Sequence, residues 1–228
     1  MAAGGQTLHG GEERRTHVTP DRLPAALLAT LRRVSARGDL AGAGARVLSA
    51  WAQPHRAYHD LRHLTEILDR IDALAAHAED PDAVRLAAWL HDVVYEPTRP
   101  DNEERSAAYG QRLLAELAVP GEIVAEVGRL VRLTAGHASA PDDANGAVLC
   151  DADLAVLAAD PDRYAEYAAD VRREYAHVPA EAYAAGRAAV LRSLLERPAL
   201  YRCPPAREWE ARARANMRAE LSRLAGDG

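Results

Sequence analysis

Histidine and aspartate recur in this sequence at spacings that suit a metal ion. The first group is the segment Tyr58-His59-Asp60-Leu61-Arg62-His63, which lies in a stretch of helical periodicity. Side chains four residues apart lie on one face of a helix. We therefore predict that His59 and His63 act together, either as two metal ligands or as one ligand and one acid.

A second group, His91-Asp92, ends an apolar helix directly after Trp89-Leu90. An ionised carboxylate buried at such a position is costly unless it is paired or bound to a cation. A metal ion would remove this cost, so both residues are candidate ligands. The alternative is a His-Asp pair that faces solvent at the end of the helix.

A third group, Cys150-Asp151-Ala152-Asp153, is predicted at the start of an apolar helix. Acidic residues favour helix N-termini, so one of the two carboxylates could simply be a cap. Asp153 stands where the apolar face begins, which favours it over Asp151 as the inward-pointing ligand. His137, predicted at the end of the preceding helix, is a further imidazole available to the same site.

The elements that must position these groups are helical. Alanine, arginine, leucine and glutamate dominate the sequence, and all four are good helix formers. Proline after a capping residue marks helix starts, as in Asp80-Pro81, and Asp101 with Glu104 fits a capping box. We predict an all-α bundle of about nine or ten helices. The predicted helices cover residues 20–36, 40–52, 57–77, 81–94, 101–118, 120–135, 146–159, 161–176, 179–196 and 205–225.

Composition excludes several classes of protein. The chain has 28 basic and 34 acidic side chains and a net charge of −6, so we expect no nucleic-acid partner. It contains no apolar run of membrane-spanning length and no secretory signal, which predicts a cytoplasmic protein. A homodimer is left open. We predict a disordered tail over 1–18, a helical domain over 19–202, and a C-terminal helix over 203–228 that packs on the domain or extends from it.

The order His63, His91-Asp92, Asp153 on successive helices resembles the HD-domain superfamily of metal-dependent phosphohydrolases. The further motifs are similar to those of a bacterial subgroup of predicted phosphohydrolases without a settled substrate. These motifs are WLHDVVYEP, DNEERSA, T-x-x-H, DADL, VRREY and GR, and they span roughly residues 45 to 202. The chain lacks both the HD-x-x-E-D element of (p)ppGpp hydrolases and the adjacent histidine pair of cyclic-di-GMP-degrading members.

The resemblance implies a bundle around one divalent ion, with Mn²⁺, Mg²⁺ or an iron-group metal (Fe, Co or Ni) favoured over zinc. The implied metal ligands are His63, His91, Asp92 and Asp153. The resemblance implies that His59 is the proton donor to the leaving group; the alternative is that it binds the phosphate as an imidazolium. We predict Glu103 as a second catalytic residue, which orients either water or a residue that contacts a metal ligand. For substrate binding we predict His137 together with one of the arginines Arg172, Arg173 and Arg187, of which Arg172 and Arg187 are favoured.

On this resemblance, the expected activity is hydrolysis of a phosphoester or phosphoanhydride, in a nucleotide or a related small phosphorylated metabolite. A second ion would have to use Glu96, Glu103 or His137. The alternative function is a noncatalytic metal-containing helical module that binds a nucleotide or a protein partner. A purely structural bundle is a third interpretation.

Overall fold

The computed structural model describes residues 19–35 and 37–226. Within these ranges the chain forms ten α-helices and several 3₁₀ segments, and it contains no strand, so the all-α prediction is confirmed. The helices are α1 (Leu23–Val34), α2 (Leu40–Trp51), α3 (Leu61–Leu74), α4 (Pro81–Leu90), α5 (Asn102–Glu116), α6 (Gly121–Leu133), α7 (Ala144–Asp153), α8 (Pro161–Glu174), α9 (Ala180–Glu196) and α10 (Glu210–Gly226). The tail predicted for residues 1–18 lies outside the described residues. No helix within the described ranges is long and apolar enough to cross a bilayer.

Helix α4 lies at the centre of the bundle. It contacts α1, α3, α6 and α7, and it is buried along most of its length. Most side chains of this ten-residue helix are apolar and buried, so α4 lies in the interior of the bundle rather than at its surface. The buried side chains are Ala83, Val84, Leu86, Ala87, Ala88, Trp89 and Leu90. The residues that follow α4, His91 and Asp92, are therefore buried as well.

The start of α4 follows the predicted capping chemistry, whereas the start of α5 does not. Asp80 accepts hydrogen bonds from the first backbone N–H groups of α4, and Pro81 occupies the first helical position. At α5 the predicted capping box is wrong. The Asp101 carboxylate binds Arg99 at 2.8 Å, and the Glu104 carboxylate binds Arg132 at 2.6 Å, so each acidic group has an arginine partner instead.

Helix α3 begins four residues later than predicted. The Asp60 carboxylate caps it by accepting backbone N–H groups of the first turn, including that of His63 at 3.2 Å. His59 therefore precedes the helix, and the prediction that His59 and His63 share a helix face is wrong. The two rings are nevertheless adjacent, with centroids 5.6 Å apart.

Helices α4 and α7 end earlier than predicted. Helix α4 ends at Leu90, and His91 is its C-cap, so Asp92 lies in the turn beyond. Helix α7 ends at Asp153 and continues as a 3₁₀ segment, Leu154–Ala158. The pair Asp151 and Asp153 consequently stands at the C-terminal end of a helix, which corrects the predicted N-terminal position.

The C-terminal helix α10 packs against the Leu154–Ala158 segment and against α9. Asn216 of α10 donates hydrogen bonds to the carbonyl oxygens of Leu157 and Ala159, each at 2.9 Å. These contacts attach α10 to the segment that directly follows Asp153.

Candidate metal centre and adjoining cavity

Three of the four predicted ligands converge in the core. One ligand atom from each of His63, His91 and Asp153 lies within 4.8 Å of the others, and these residues could hold a metal ion. Asp153 Oδ1 lies 3.3 Å from His63 Nε2 and 3.8 Å from His91 Nε2. Helix α3 supplies His63, the end of α4 supplies His91 and the end of α7 supplies Asp153. We call these three residues the ligand cluster.

His91 has the hydrogen bonding of a metal ligand. Its Nδ1–H donates to the carbonyl oxygen of Ala88 at 2.8 Å, which fixes the ring orientation. Its Nε2 is buried and has no hydrogen-bond partner among the described residues. This atom lies 3.3 Å from Asp92 Oδ2 but is not in hydrogen-bond geometry with it. A ring nitrogen without a hydrogen-bond partner, lying between the Asp92 and Asp153 carboxylates, is positioned to bind a cation.

The charges of the cluster explain why a cation or proton is needed there. Burial opposes ionisation of His91, but the Asp92 and Asp153 carboxylates outweigh it and raise the pKa of His91 to about 9. For Asp92 and Asp153, burial alone would raise the pKa, yet the neighbouring histidines hold the pKa of both carboxyl groups below its ordinary value. Both carboxylates are therefore ionised at neutral pH, and a bound divalent ion could replace the compensating proton.

The position of Asp153 at a helix C-terminus adds to this requirement. The C-terminal end of a helix carries partial negative charge, which disfavours a carboxylate. Asp153 is stabilised instead by His137, whose Nε2 donates to Asp153 Oδ2 at 2.7 Å, and by the two cluster histidines. The backbone of His137 is left-handed, with φ of 46°, and Arg197 donates to its carbonyl oxygen at 2.8 Å. His137 thus contacts a predicted ligand directly, although we predicted that it binds substrate.

Asp151 has a different role from Asp153. It is fully buried, and its carboxylate accepts the backbone N–H groups of Arg202, at 2.9 and 3.0 Å, and of Cys203, at 2.7 Å. It therefore connects α7 to the segment before α10. The geometry accordingly selects Asp153 over Asp151 for the ligand cluster.

Replacing Asp151 with alanine should separate stability from metal binding. The change leaves two N–H groups without their acceptor, so we expect it to lower the free energy of unfolding by about 1–3 kcal/mol, measured by urea denaturation. Metal content should remain that of the unsubstituted protein. Loss of metal from a folded Asp151→Ala protein would contradict this assignment.

His59 is held by a buried glutamate that sequence reasoning did not select. Glu174 Oε2 accepts the His59 Nδ1–H at 2.7 Å and the Tyr95 hydroxyl at 2.7 Å. Its Oε1 accepts the backbone N–H groups of Ala57, Tyr58 and His59 at 2.8, 2.8 and 3.0 Å. This single carboxylate therefore fixes both the backbone and the ring of His59.

The same contacts determine the charge of His59. Burial opposes its ionisation, but the hydrogen bond to Glu174 and the charge of Asp92 outweigh this and raise the pKa of His59. With Nδ1 occupied by Glu174, His59 Nε2 faces the cluster and lies 3.9 Å from Asp92 Oδ2. The raised pKa of His59 favours the protonated ring, and its Nε2 stands beside the candidate ligands.

A buried arginine, also missed, joins the His59 loop to the turn after α4. Arg56 donates to the carbonyl oxygens of His59 at 3.0 Å and of Asp92 at 2.8 Å. Its guanidinium lies over the rings of Trp51 and Tyr95, each at 5.4 Å. It thus holds the backbone of the predicted proton donor next to that of a predicted ligand.

A cavity of about 580 Å³ adjoins the cluster. Most of the predicted site residues line it, namely His59, His91, Asp92, Glu103, His137, Asp153 and Arg187. His63 does not line it and is only 3% exposed, so it would approach an ion from the protein interior. Arg197 lines the cavity too, although the sequence did not single it out.

The predicted substrate-binding arginines lie in different places. Arg172 donates to the carbonyl oxygens of Tyr175 and Val178 at the end of α8, and it does not line the cavity. Arg187 lines the cavity, but its guanidinium is paired with both carboxylate oxygens of Glu220, at 2.8 and 3.1 Å. Arg172 is therefore not positioned to bind a substrate in the cavity.

The three residues predicted as possible ligands of a second ion also lie in different places. Glu103 and His137 line the cavity. Glu96 does not, and its carboxylate accepts the Thr98 hydroxyl at 3.2 Å instead. The structure thus brings two of these three residues near the ligand cluster.

Together these features define an all-helical protein with a candidate metal centre of two histidines and an aspartate beside a cavity. No protein-family model matches the chain, and no curated protein or solved structure is significantly similar to it.

Proposed function

We propose that this protein is a metal-dependent phosphohydrolase of the HD type. Its substrate is a nucleotide or a related small phosphorylated metabolite, cleaved at a phosphoester or phosphoanhydride bond. The observation that supports this most is the free, buried Nε2 of His91 between two carboxylates, beside a cavity that His59 also lines. The order of the ligands along the chain, which resembles the HD superfamily, supports it independently.

The residues present fit a divalent ion. Imidazole and carboxylate donors together suit manganese, iron, cobalt or nickel, and carboxylates suit magnesium. His63, His91 and Asp153 would hold the ion, and Asp92 lies next to His91 as the further predicted ligand. When bound, such an ion polarises a phosphoryl oxygen and lowers the pKa of coordinated water.

The chain's own residues provide the proton transfers. Hydrolysis forms one bond from a water oxygen to phosphorus and breaks the bond from phosphorus to the leaving oxygen. His59, protonated and held at Nδ1 by Glu174, donates its Nε2 proton to that leaving oxygen. Glu103 at the cavity wall orients the attacking water, whose proton passes to solvent. His137 keeps Asp153 oriented through their 2.7 Å hydrogen bond.

Removal and return of metal tests this proposal. The protein is treated with a chelator, and Mn²⁺, Mg²⁺, Fe²⁺, Co²⁺, Ni²⁺ or Zn²⁺ is then added in turn. We expect one or more of the ions other than zinc to raise the midpoint of thermal unfolding, because a ligand that binds only the folded state stabilises it. The same ion should support phosphate release from a panel of mono- and polyphosphorylated metabolites.

The main alternative is a noncatalytic metal-containing module. The pairing of Arg187 with Glu220 favours it, since this cavity guanidinium is already neutralised. The alternative predicts metal-dependent thermal stabilisation with no phosphate release from any member of the panel. Absence of metal binding would contradict both functions and favour a purely structural bundle.

A further inference from the structure

Much of the cavity lining beyond the ligand cluster is apolar. It comes from the Leu154–Ala158 segment and from α9, which is packed next to α10. The apolar side chains are Leu154, Val156, Leu157, Ala189, Val190 and Leu194. This part of the wall, which we call the apolar wall, offers few hydrogen bonds to a sugar or to further phosphate groups.

Val190 is the most informative member of the apolar wall. It is 53% exposed, and it is the one large hydrophobic side chain that the described part of the chain leaves exposed. Elsewhere the fold buries such side chains, so their exposure is not a general property of this surface. Apolar surface that is left exposed in a concave site is typical of ligand contact.

The cationic groups of the cavity are few and already engaged. Arg187 is paired with Glu220, and Arg197 donates to the carbonyl oxygens of Gly136 and His137. The sequence contains no lysine. His137 Nε2 is likewise bound to Asp153. Beyond a metal ion, the cavity therefore offers chiefly His59 to a phosphoryl group, while the Glu103 carboxylate repels additional negative charge.

We propose that the substrate is a phosphomonoester whose alcohol portion is apolar, an alkyl or aryl phosphate rather than a polyphosphate. The phosphoryl group lies at the ligand cluster, and the apolar portion lies along the apolar wall and covers Val190. This inference rests on the proposed function and narrows its substrate class. The bond broken is the one from phosphorus to the alcohol oxygen, which leaves with the proton of His59.

Alkylphosphonates test the inference without hydrolysis, because their carbon–phosphorus bond is not cleaved by this chemistry. Methyl-, butyl- and hexylphosphonate are titrated into the metal-loaded protein by calorimetry, with tripolyphosphate as the polyphosphate probe. We expect affinity to rise about fourfold for each methylene that contacts the apolar wall. Hexylphosphonate should bind more tightly than tripolyphosphate. In parallel, hexyl phosphate should be hydrolysed with higher kcat/KM than glycerol phosphate.

Val190→Asn is the matching variant, because an exposed position tolerates a polar residue of similar size. This variant should lose a large part of the increase in affinity from methylphosphonate to hexylphosphonate. Methylphosphonate serves as the reference because it reports binding of the phosphoryl end. Ala185→Asn, at an exposed position of α9 outside the cavity, should keep the full gain. Circular dichroism verifies that both variants are folded.

The outcomes separate the two proposals. Affinity that does not change with chain length, or tighter binding and faster cleavage of polyphosphates, would overturn the apolar-substrate inference and leave the phosphohydrolase proposal standing. An unchanged gain in Val190→Asn would overturn the placement of the apolar portion. If metal binds but no phosphonate binds and no phosphoester is cleaved, the proposed function fails and the inference fails with it.

Discussion

Replacing Asp153 with asparagine is expected to abolish both metal binding and hydrolysis. Asp153 contacts His63, His91 and His137, so this one carboxylate joins both histidines of the ligand cluster to a third imidazole. We expect metal affinity to fall by at least about 100-fold. This is the upper end of the loss that follows when a residue that only hydrogen-bonds to a metal ligand is removed. Because a metal ion supplies several kcal/mol of charge stabilisation, kcat/KM should fall by about 10³-fold or more.

The matched control is Asp142→Asn, which makes the same chemical change at an exposed position in the loop before α7. It should retain full metal content, measured by elemental analysis, and full activity. Circular dichroism distinguishes loss of the ion from loss of the fold. A folded Asp153→Asn protein with undiminished metal content would show that the ligand cluster is not the metal site.

Replacing Glu174 with glutamine is expected to destabilise the protein, because it removes a buried charge that several hydrogen bonds hold. Burial raises the pKa of Glu174, but its hydrogen bonds to His59, Tyr95 and the backbone outweigh this and lower the pKa from 4.5 to about 2. At about 1.4 kcal/mol for each pKa unit, this shift corresponds to about 3 kcal/mol of folding free energy at pH 7. Urea denaturation of the metal-free protein measures it.

The effect of Glu174→Gln should depend on pH with a definite sign. Since the folded-state pKa lies below the unfolded value, the stabilisation is complete above about pH 5 and is lost as pH falls from 4.5 toward 2. The stability difference between the two proteins should therefore narrow below pH 4.5. Glu208→Gln, at an exposed position, is the control and should show no such difference. A destabilisation that is constant with pH would contradict this role of Glu174.

The helical architecture was predictable because it follows from local properties. Alanine-rich periodic segments and capping residues such as Asp80 depend on near neighbours in the chain, and each predicted helix has a counterpart in the structure. The prediction of His91 as a ligand depended on a similar local argument, because a charged or imidazole side chain at the end of an apolar helix requires compensation, wherever the partner comes from. Asp153 was predicted at the start of an apolar helix, and the structure places it at the end of α7 instead.

The support for His59 could not be predicted from local properties. Glu174 lies more than a hundred residues away in sequence, and its three backbone contacts replace the first turn that periodicity assigned to α3. One signal was available. Glu174 continues the stripe of Tyr164, Tyr167 and Val171 along α8, and a carboxylate on a buried stripe requires a partner.

The choice between Asp151 and Asp153 likewise depended on residues that are distant in sequence. Both lie in the last turn of α7, and they differ because the backbone N–H groups of Arg202 and Cys203 bind only Asp151. The role of Arg56 could not be predicted for a related reason. Its partners are carbonyl oxygens, which every residue has and which no sequence pattern marks.

The ligand cluster also has a consequence for how the molecule folds. Two of its members come from the consecutive helices α3 and α4, whereas Asp153 comes from α7, much later in the chain, so the three side chains meet only when these helices are packed. Contacts of high sequence separation form after the entropy of closing long loops has been overcome, whereas single helices form early. The Asp153 carboxylate and the two histidines are therefore brought together late in folding. An ion held there would act as a noncovalent cross-link between distant segments, and it would slow unfolding more than it would speed folding.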